Sequence, residues 1–272
     1  MAGGTQAILH GINKNMPKGL GYTMLGRSAR REDIHIVGGF DKEGIKCDPD
    51  ALEESKRLEK VFNDAQQERK DKIDSHWKIS YLNVANLIAH HEDVVVDNEI
   101  NDSDIFGLGE THLAENAAVS FDNYAGYFAN FGKGKGQAAF TKIDLLSEPE
   151  IVATKNYSLV LLKTSYFNIV FLYLSQGYIK DDVFTLLNNW INNETPTAVM
   201  GDVNENLLEN SCFEKFMKSK SFSQMINKPT YKYGSMIDHL YVNEAMKQKR
   251  IFFEQNCCYY SDHDIISLYI KK

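Results

Sequence analysis

Residues 105–113 read IFGLGETHL and place an acidic side chain, Glu110, directly after an apolar run. A short apolar run bounded by glycine is typical of a buried strand. A carboxylate at the end of such a strand is costly to bury alone, so Glu110 needs a cation or a hydrogen-bond network as its partner. The stretch therefore predicts a strand that ends at a functional site.

The same arrangement of polar residues beside an apolar run recurs along residues 78–264. The other clusters are Asn83 after KISYL, Asp202 and Asn204 in AVMGDVN, Asp238 in MIDHLYV, and Asp262 with His263 in YYSDHDII. Carboxylate and amide oxygens are ligands that suit Mg²⁺, for which Mn²⁺ could substitute, and a nearby histidine can transfer protons. The pattern indicates metal-assisted hydrolysis of a phosphate ester.

The order of these clusters resembles the endonuclease/exonuclease/phosphatase superfamily, which has the DNase I-like fold. The matching motifs are the strand ending in Asn, then E-T-H, G-D-x-N, I-D-H and S-D-H, and they span about residues 77–272. The resemblance implies an α+β protein, a four-layer α/β sandwich of two packed mixed β-sheets with helices outside. It also implies an active site at one edge of that sandwich.

For the metal, the resemblance implies that Glu110 is the principal ligand. Asn83 would be a second ligand or a partner lying behind it, and Asp262 would lie at the metal edge of the site. For catalysis, the resemblance implies that Asp202 orients or deprotonates the attacking water and that Asn204 holds the scissile phosphate.

His263 resembles the superfamily's catalytic histidine, which contacts the phosphate and takes part in acid–base transfer. Asp238 would accept the proton on its other ring nitrogen and so fix the tautomer. Tyr173 falls where a Y-x-P segment is common, although Leu174 and Ser175 follow it here, and the resemblance implies a catalytic role for Tyr173. Thr230 falls where P-T-R is common, although Tyr231 follows it, and the resemblance implies that Thr230 binds substrate.

A glycine-rich segment, Lys133-Gly134-Lys135-Gly136, precedes a predicted strand. It lacks the Lys-Ser or Lys-Thr ending and the helix of a P-loop, so we interpret it as a turn. The resemblance to the glycine turn of many nucleases in this superfamily implies DNA contact by Lys133 and Lys135.

Each of these residues also has a structural interpretation. Asn83, Asn204 and Thr230 are suited to turns and caps, because short polar side chains bond readily to nearby backbone. Asp202 after Gly201 is an ordinary turn signal, and we interpret His112 and His239 as packed histidines. The combination of clusters, not any single one, carries the functional prediction.

Hydrophobic periodicity predicts many strands and few helices. We expect strands near 78–83, 104–110, 123–129, 137–143, 150–154, 158–164, 167–174, 197–202, 236–242, 249–256 and 264–270. We expect helices over 84–92, 180–193 and 211–219. In the second helix Val183, Phe184, Leu186, Leu187 and Trp190 recur on one face.

Composition limits the remaining choices. The chain of 272 residues is 43% hydrophobic, carries a net charge of −7, and shows neither a signal peptide nor an apolar run long enough for a membrane span. We expect a soluble intracellular protein without a membrane partner, with which a nuclear location is compatible, and we assume a monomer. The four cysteines lack metal-ligand spacing, so reduced thiols are expected.

The chain divides into three predicted segments: 1–49, a charged helical linker over 50–76, and the catalytic domain over 77–272. Residues 20–41 resemble the last motif of RecD-like superfamily one helicases, with Arg27 at the position of the arginine that reaches ATP. Gly26 replaces the usual serine there, and no P-loop motif is present. The resemblance implies a helicase remnant joined to a nuclease, as in Helitron-type transposon proteins.

These observations favour a Mg²⁺-dependent DNA endonuclease from a mobile element. Two alternatives stay open. One is a phosphatase or phosphodiesterase acting on inositol phosphates, lipids or nucleotides, which the acidic charge slightly favours because duplex binding relies on Lys and Arg. The other is a decayed copy that folds without catalysis.

Overall fold

The computed structural model describes residues 7–12, 34–40, 49–132, 135–142, 145, 148–178 and 181–272. They divide into two compact units, Met1–Asp71 and Lys72–Lys272. In the described part of the first unit, β1 (Ala7–Ile12) pairs in parallel with β2 (Ile34–Phe40). The helicase-like stretch around Arg27 lies outside the described residues.

The charged segment that follows is one long helix, α1 (Pro49–Ser75), with no buried side chain. Most of its side chains are polar or charged, and ion pairs such as Arg57 with Glu54 lie on its exposed surface. Its end lies in the second unit, where Lys72 pairs with Glu254 and lies over the ring of Tyr269. Within the described residues, no helix combines the length and the apolar composition that crossing a bilayer requires.

The second unit contains two six-stranded mixed sheets. The first has the order β13-β14-β3-β4-β6-β5, with β3 (His76–Asn83), β4 (Ile105–Gly109), β5 (Tyr124–Ala129), β6 (Gln137–Lys142), β13 (Ile251–Asn256) and β14 (Ile265–Lys271). The second has the order β11-β12-β10-β9-β8-β7, with β7 (Glu148–Ala153), β8 (Tyr157–Lys163), β9 (Asn168–Leu174), β10 (Thr197–Asp202), β11 (Phe222–Gln224) and β12 (Asp238–Asn243). The pairs β3–β4 and β9–β10 are parallel, and the other neighbours in both sheets are antiparallel.

The described helices of this unit are short. They are α2 (Leu87–Val96), α3 (Asn98–Asn101), α4 (Asp181–Trp190), α5 (Cys212–Ser219) and α6 (Glu244–Lys247). The amphipathic face predicted around Val183 and Leu187 is confirmed, because both side chains are buried and pack with Phe213 of α5 against the second sheet.

Three apolar clusters show how the layers pack. One lies between the sheets and joins Ile79, Ile105 and Phe171 to residues of both sheets. A second lies between the outer face of the second sheet and α4 with α5. The third covers the outer face of the first sheet, where Leu87 and Val94 of α2 pack on Phe106. The predicted four-layer, DNase I-like sandwich is therefore confirmed.

Each predicted strand is present, with its ends shifted by at most a few residues. The predicted helix over 84–92 begins later, at Leu87, because Asn86 caps it by accepting a hydrogen bond from the Ala89 amide at 3.2 Å. The short elements β11, α3 and α6 were not predicted, since three or four residues are too few for a recognisable period.

Candidate active site

A polar cleft of about 510 Å³ opens at one edge of the sandwich, where strands of both sheets end. Its lining residues are Ala85, Glu110, Gln176, Asp202, Asn204, Asn206, Glu209, Tyr231, Ser235, Ile237, Asp262 and His263. Glu110 follows β4 of the first sheet and Asp202 ends β10 of the second. The parallel strands β3 and β4, and likewise β9 and β10, bring their carboxyl ends to this edge.

The backbone at Asp202 is fixed from both sides. Gly201 has a φ of +152°, and a Cβ atom there would lie 1.9 Å from the Leu172 carbonyl oxygen on the neighbouring strand. The amide of Asp202 donates to the Tyr81 hydroxyl at 3.1 Å, which links the two sheets. The apparent turn signal Gly201-Asp202 is thus a strand end packed tightly on β9.

The Asp202 carboxylate is 1% exposed and accepts three hydrogen bonds. Asn83 Nδ2 donates to Oδ2 at 2.8 Å, and Asn204 donates its backbone amide to Oδ1 at 2.8 Å and its side-chain amide to Oδ2 at 3.2 Å. Burial and the charge of Asp238 raise the pKa of Asp202 to about 8, although His263 and these hydrogen bonds oppose the shift. Asp202 is therefore a carboxyl group that can exchange a proton near neutral pH.

The two asparagines that hold Asp202 are themselves engaged. Asn83 is fully buried, and its Oδ1 accepts from the Ala85 amide at 3.0 Å. Asn204 has a φ of 53° and also donates Nδ2 to the Leu174 carbonyl at 2.8 Å. Both side chains therefore orient Asp202 in the structure.

His263 and Asp238 form a buried pair in which His263 Nδ1 lies 2.8 Å from Asp238 Oδ2. Burial lowers the pKa of His263, but the charge and hydrogen bond of Asp238, with the charges of Asp202 and Glu110, raise it to about 9. Because Nδ1 faces Asp238 and the ring lines the cleft, Nε2 is the nitrogen left for a ligand.

Backbone and hydroxyl contacts hold this pair in place. Thr230 Oγ1 accepts from the amides of Ile237 at 3.2 Å and Asp238 at 3.0 Å. Ser261 Oγ accepts from the His263 amide at 3.2 Å and donates to the Asn83 carbonyl at 2.6 Å. Thr230 is 1% exposed and is not among the lining residues of the cleft, so its hydroxyl positions Asp238.

Glu110 enters the cleft through a left-handed backbone conformation, with a φ of 49°. The Tyr173 hydroxyl donates a hydrogen bond to the Glu110 carboxylate. Burial, together with the charges of Glu110 and Asp202, raises the pKa of Tyr173. Tyr173 pairs with Asp202 in the β9–β10 register and is 5% exposed. Its phenol is thus close to both carboxylates.

The other predicted contacts lie at the rim or away from the cleft. Asp262 lines the cleft, and its Oδ1 lies 2.5 Å from Lys232 Nζ. Lys135 donates to the Lys155 carbonyl and lies 5.9 Å from the Phe131 ring centre, outside the cleft lining. Lys133 lies outside the described residues. His239 is packed, with Nε2 2.8 Å from the Glu205 carbonyl oxygen and Nδ1 3.0 Å from the Tyr241 hydroxyl.

Sequence reasoning missed Gln176, Asn206, Glu209 and Ser235 of the cleft lining, and it missed two tyrosines that support the site. The Tyr231 ring lies 4.8 Å from the His263 ring, and the two residues form an isolated β-bridge. Tyr81 supplies the hydroxyl that accepts from Asp202. Tyr81 is part of an apolar run and Tyr231 is in a loop, so no pattern distinguished them.

Two observations fit a divalent cation at this cleft. Asp202, Asp238 and His263 place potential ligand atoms within 4.8 Å of one another, with His263 Nδ1 already paired to Asp238. Asp238 Oδ1 is buried without a hydrogen-bond partner. Glu110 and Asp262 add further carboxylates at the same cleft, so its oxygen-rich donor set suits a hard cation.

No family model matches the chain, and no curated protein matches it. Solved structures do resemble it. The endonuclease domain of TRAS1, a telomere-specific non-LTR retrotransposon, is 13% identical with a TM-score of 0.56, covering 72% of this chain and 98% of that one. The 3′ phosphatase NExo from Neisseria, bound to a product DNA hairpin, is 14% identical with a TM-score of 0.56, covering 72% of this chain and 100% of that one.

An endonuclease/exonuclease/phosphatase family protein from Leptotrichia buccalis is 15% identical with a TM-score of 0.54, covering 72% of this chain and 100% of that one. At these identities the likeness concerns the fold. It agrees with the two-sheet architecture described above.

Proposed function

We propose that this protein is a divalent-metal-dependent phosphodiester hydrolase that cleaves DNA internally. The observation that carries the proposal is the convergence of Glu110, Asp202 and the His263–Asp238 pair on one cleft. Nuclease and phosphatase structures with the same fold support this reaction class.

Asp202 is proposed to orient the attacking water and accept its proton. Its pKa of about 8 suits proton exchange near neutral pH, and Asn83 and Asn204 fix the carboxylate's direction. His263 remains protonated below its pKa of about 9 and donates from Nε2 to a phosphate oxygen. Asp238 fixes the imidazole orientation through Nδ1.

Glu110 is the proposed principal ligand of a Mg²⁺ or Mn²⁺ ion, with Asp262 at the edge of that site. Such an ion polarises a phosphoryl oxygen and offsets the charge that develops on the leaving oxygen. Asn83 Nδ2 donates to Asp202 and Asn83 Oδ1 accepts from the Ala85 amide, so neither atom is left to bind the ion. We therefore propose that Asn83 acts by orienting Asp202. Tyr173 is proposed to orient Glu110 through its hydroxyl.

The test is nicking of supercoiled plasmid by the purified protein with Mg²⁺. The Glu110→Ala variant should lose at least about 100-fold in rate, a typical loss for one catalytic group, and EDTA should abolish nicking. Glu115→Ala is the matched control, because Glu115 is exposed on the loop that follows Glu110. Undiminished nicking by Glu110→Ala would remove the proposed site.

A second candidate is hydrolysis of a small phosphate monoester or diester. It is favoured by the cleft lining, which includes several carboxylates but no lysine or arginine among its described residues. Phosphate release from nucleotides or inositol phosphates, with no nicking of plasmid, would select this candidate. A folded protein without either activity, and without stabilisation by Mg²⁺, would correspond to a decayed copy.

The origin of the protein is proposed to be a mobile element. Two observations support this: the helicase-like sequence around Arg27, and the fold shared with a retrotransposon endonuclease domain. We propose accordingly that residues 1–49 are a helicase remnant, residues 50–76 a helical linker, and residues 77–272 the catalytic domain.

A further inference from the structure

A second pocket lies at the opposite end of the sandwich from the cleft. It has a volume of about 250 Å³ and is lined by Trp77, Tyr166, Phe167, Lys249, Ile270, Lys271 and Lys272. Trp77 lies near the start of β3, whereas Asn83 ends that strand beside the cleft. Six residues of extended strand correspond to about 20 Å, so the Trp77 pocket is a separate site.

The floor of the Trp77 pocket is aromatic. The rings of Trp77 and Tyr166 are 5.5 Å apart and tilted by 33°, and Phe167 below them is 1% exposed. Tyr166 is 57% exposed, so a ring face is open to solvent. The exposed Tyr166 ring and the neighbouring Trp77 ring form a contiguous aromatic patch, and such patches mark surface interaction sites more often than single exposed rings do.

The rim of the pocket is basic. Lys249 and Lys271 are exposed, Lys272 Nζ lies 4.8 Å from the Trp77 ring centre, and the Lys271 amide donates to the Arg250 carbonyl at 3.4 Å. Among nearby acidic residues, Glu244 and Glu254 pair with Lys247 and Lys72, and exposed Asp74 precedes Ser75, whose carbonyl accepts from the Lys272 amide at 3.2 Å. A positive patch thus stands out on a chain whose net charge is −7.

We propose that the Trp77 pocket binds single-stranded nucleic acid, with an unpaired base stacked on the exposed Tyr166 ring beside Trp77 and the backbone phosphates on the lysines. Open aromatic faces combined with basic side chains are what non-specific single-strand binding requires, because every base has a face to stack. A duplex keeps its bases stacked internally and could use only the charges. The pocket also supplies positive charge that the described lining of the catalytic cleft lacks.

The proposal can be tested without catalysis. The chain has two tryptophans, and Trp190 is 8% exposed in the core. In a Trp190→Phe variant of the full chain, the fluorescence of Trp77 therefore reports on this pocket alone. The probe is a labelled oligothymidylate of about 12 nucleotides, within the usual site size for such proteins, in EDTA so that no cleavage occurs.

Binding should quench Trp77 and raise the probe's anisotropy. Tyr166→Ala should weaken binding about ten-fold, in line with the loss of one stacked base. The double variant Lys249→Gln with Lys271→Gln should lower the salt dependence of binding by about 1.4 in logarithmic slope, or about 0.7 for each phosphate contact. Tyr259→Ala, and Lys215→Gln with Lys218→Gln, are matched exposed controls away from the pocket and should bind normally.

Binding without quenching of Trp77, or no binding at low salt, would overturn the proposal. Equal quenching by polyglutamate, with Tyr166→Ala unchanged, would also overturn it and indicate an acidic polypeptide instead. Because the measurement is made in EDTA and can be repeated with Glu110→Ala, its outcome is independent of whether the cleft cleaves DNA.

Discussion

At the scale of single residues, Gly201 fixes the position of the Asp202 carboxylate. Its φ of +152° is unfavourable for other residues, and a Cβ atom would lie 1.9 Å from the Leu172 carbonyl oxygen. Backbone atoms of a central strand cannot move aside cheaply, because they are held in the β9–β10 ladder.

Gly201→Ala is therefore expected to destabilise the fold by more than about 3 kcal/mol, since it combines backbone strain with a clash. Gly177→Ala is the matched control: its φ is +69°, and no atom lies within 4 Å of the position of its Cβ. This control should lose only about 1 to 2 kcal/mol. Urea unfolding compares the two variants, and equal losses would contradict the clash.

Loss of the protons on His263 and Asp202 should make the metal-free protein less stable as the pH rises. His263 has a pKa raised to about 9, so the stability it contributes is complete below its ordinary value of 6.5 and is lost as the pH approaches 9. Asp202 has a pKa raised to about 8, so keeping its carboxylate buried costs progressively more from its ordinary value of 3.8 up to pH 8. In both cases the folded state binds more protons than the unfolded state.

The melting temperature in EDTA should accordingly fall between pH 6.5 and pH 9. Asp202→Asn, which cannot ionise at this position, should show a shallower fall. Mg²⁺ should restore stability most at the alkaline end, because the ion binds the ionised carboxylates. A melting temperature independent of pH in the unmodified protein would contradict this account.

The sequence predicted the residues of the cleft to different extents. Glu110, Asp202 and His263 follow or precede apolar runs, and strand ends converge at a sheet edge, so their meeting could be anticipated. Tyr231 could not be anticipated, because a loop aromatic carries no periodic signal. The catalytic roles of these residues remain predictions.

At the scale of elements, a glycine of one sheet faces an aromatic ring of the other. A Cβ atom on Gly107 of β4 would lie 2.3 Å from the Phe171 ring of β9. Phe171 also stacks with Tyr81, whose ring centre is 6.3 Å away. Glycine in the apolar run IFGLG, which looks like a weak point for a strand, is thus a packing requirement.

Gly107→Ala alone should destabilise the protein by about 1 to 3 kcal/mol through overpacking. Phe171→Leu alone should cost a similar amount through lost contacts. In the double variant the smaller leucine side chain leaves room for the added methyl group, so the combined loss should be at least about 1 kcal/mol smaller than the sum. Additive losses in urea unfolding would show that the two sheets do not meet at this pair.

The length of each strand or helix decided whether it could be predicted from the sequence. Long strands such as β9 and β14 are apolar along nearly their whole length, so they stand out in the sequence. Elements of three or four residues, such as α3, depend on local caps: Asp97 accepts from the Glu99 amide at 2.8 Å. Such caps are individually common and do not identify a helix in advance.

At the scale of the whole molecule, the described hydrophobic core lies within the second unit. The described buried hydrophobic residues all lie between Ile79 and Ile270, and α1 contributes no buried side chain. A truncated protein should keep Lys72, because this side chain pairs with Glu254 and lies over the rings of Phe252 and Tyr269.

Deleting residues 1–71 should therefore leave a folded domain, because the deletion removes no described core residue. Its melting temperature should stay within about 2 °C of that of the full chain, and its nicking rate should be unchanged. A shift of that size corresponds to a loss of no more than about 1 kcal/mol in a domain of this size.

A deletion of residues 1–76 tests the contacts at the end of α1, because it also removes Lys72 and His76. The His76 ring packs on Phe252 with the ring centres 5.2 Å apart. The longer deletion should be less stable but still able to nick DNA. If the shorter deletion folds with an unchanged melting temperature yet loses nicking, the N-terminal unit is part of the enzyme and the proposed boundary of the catalytic domain is wrong.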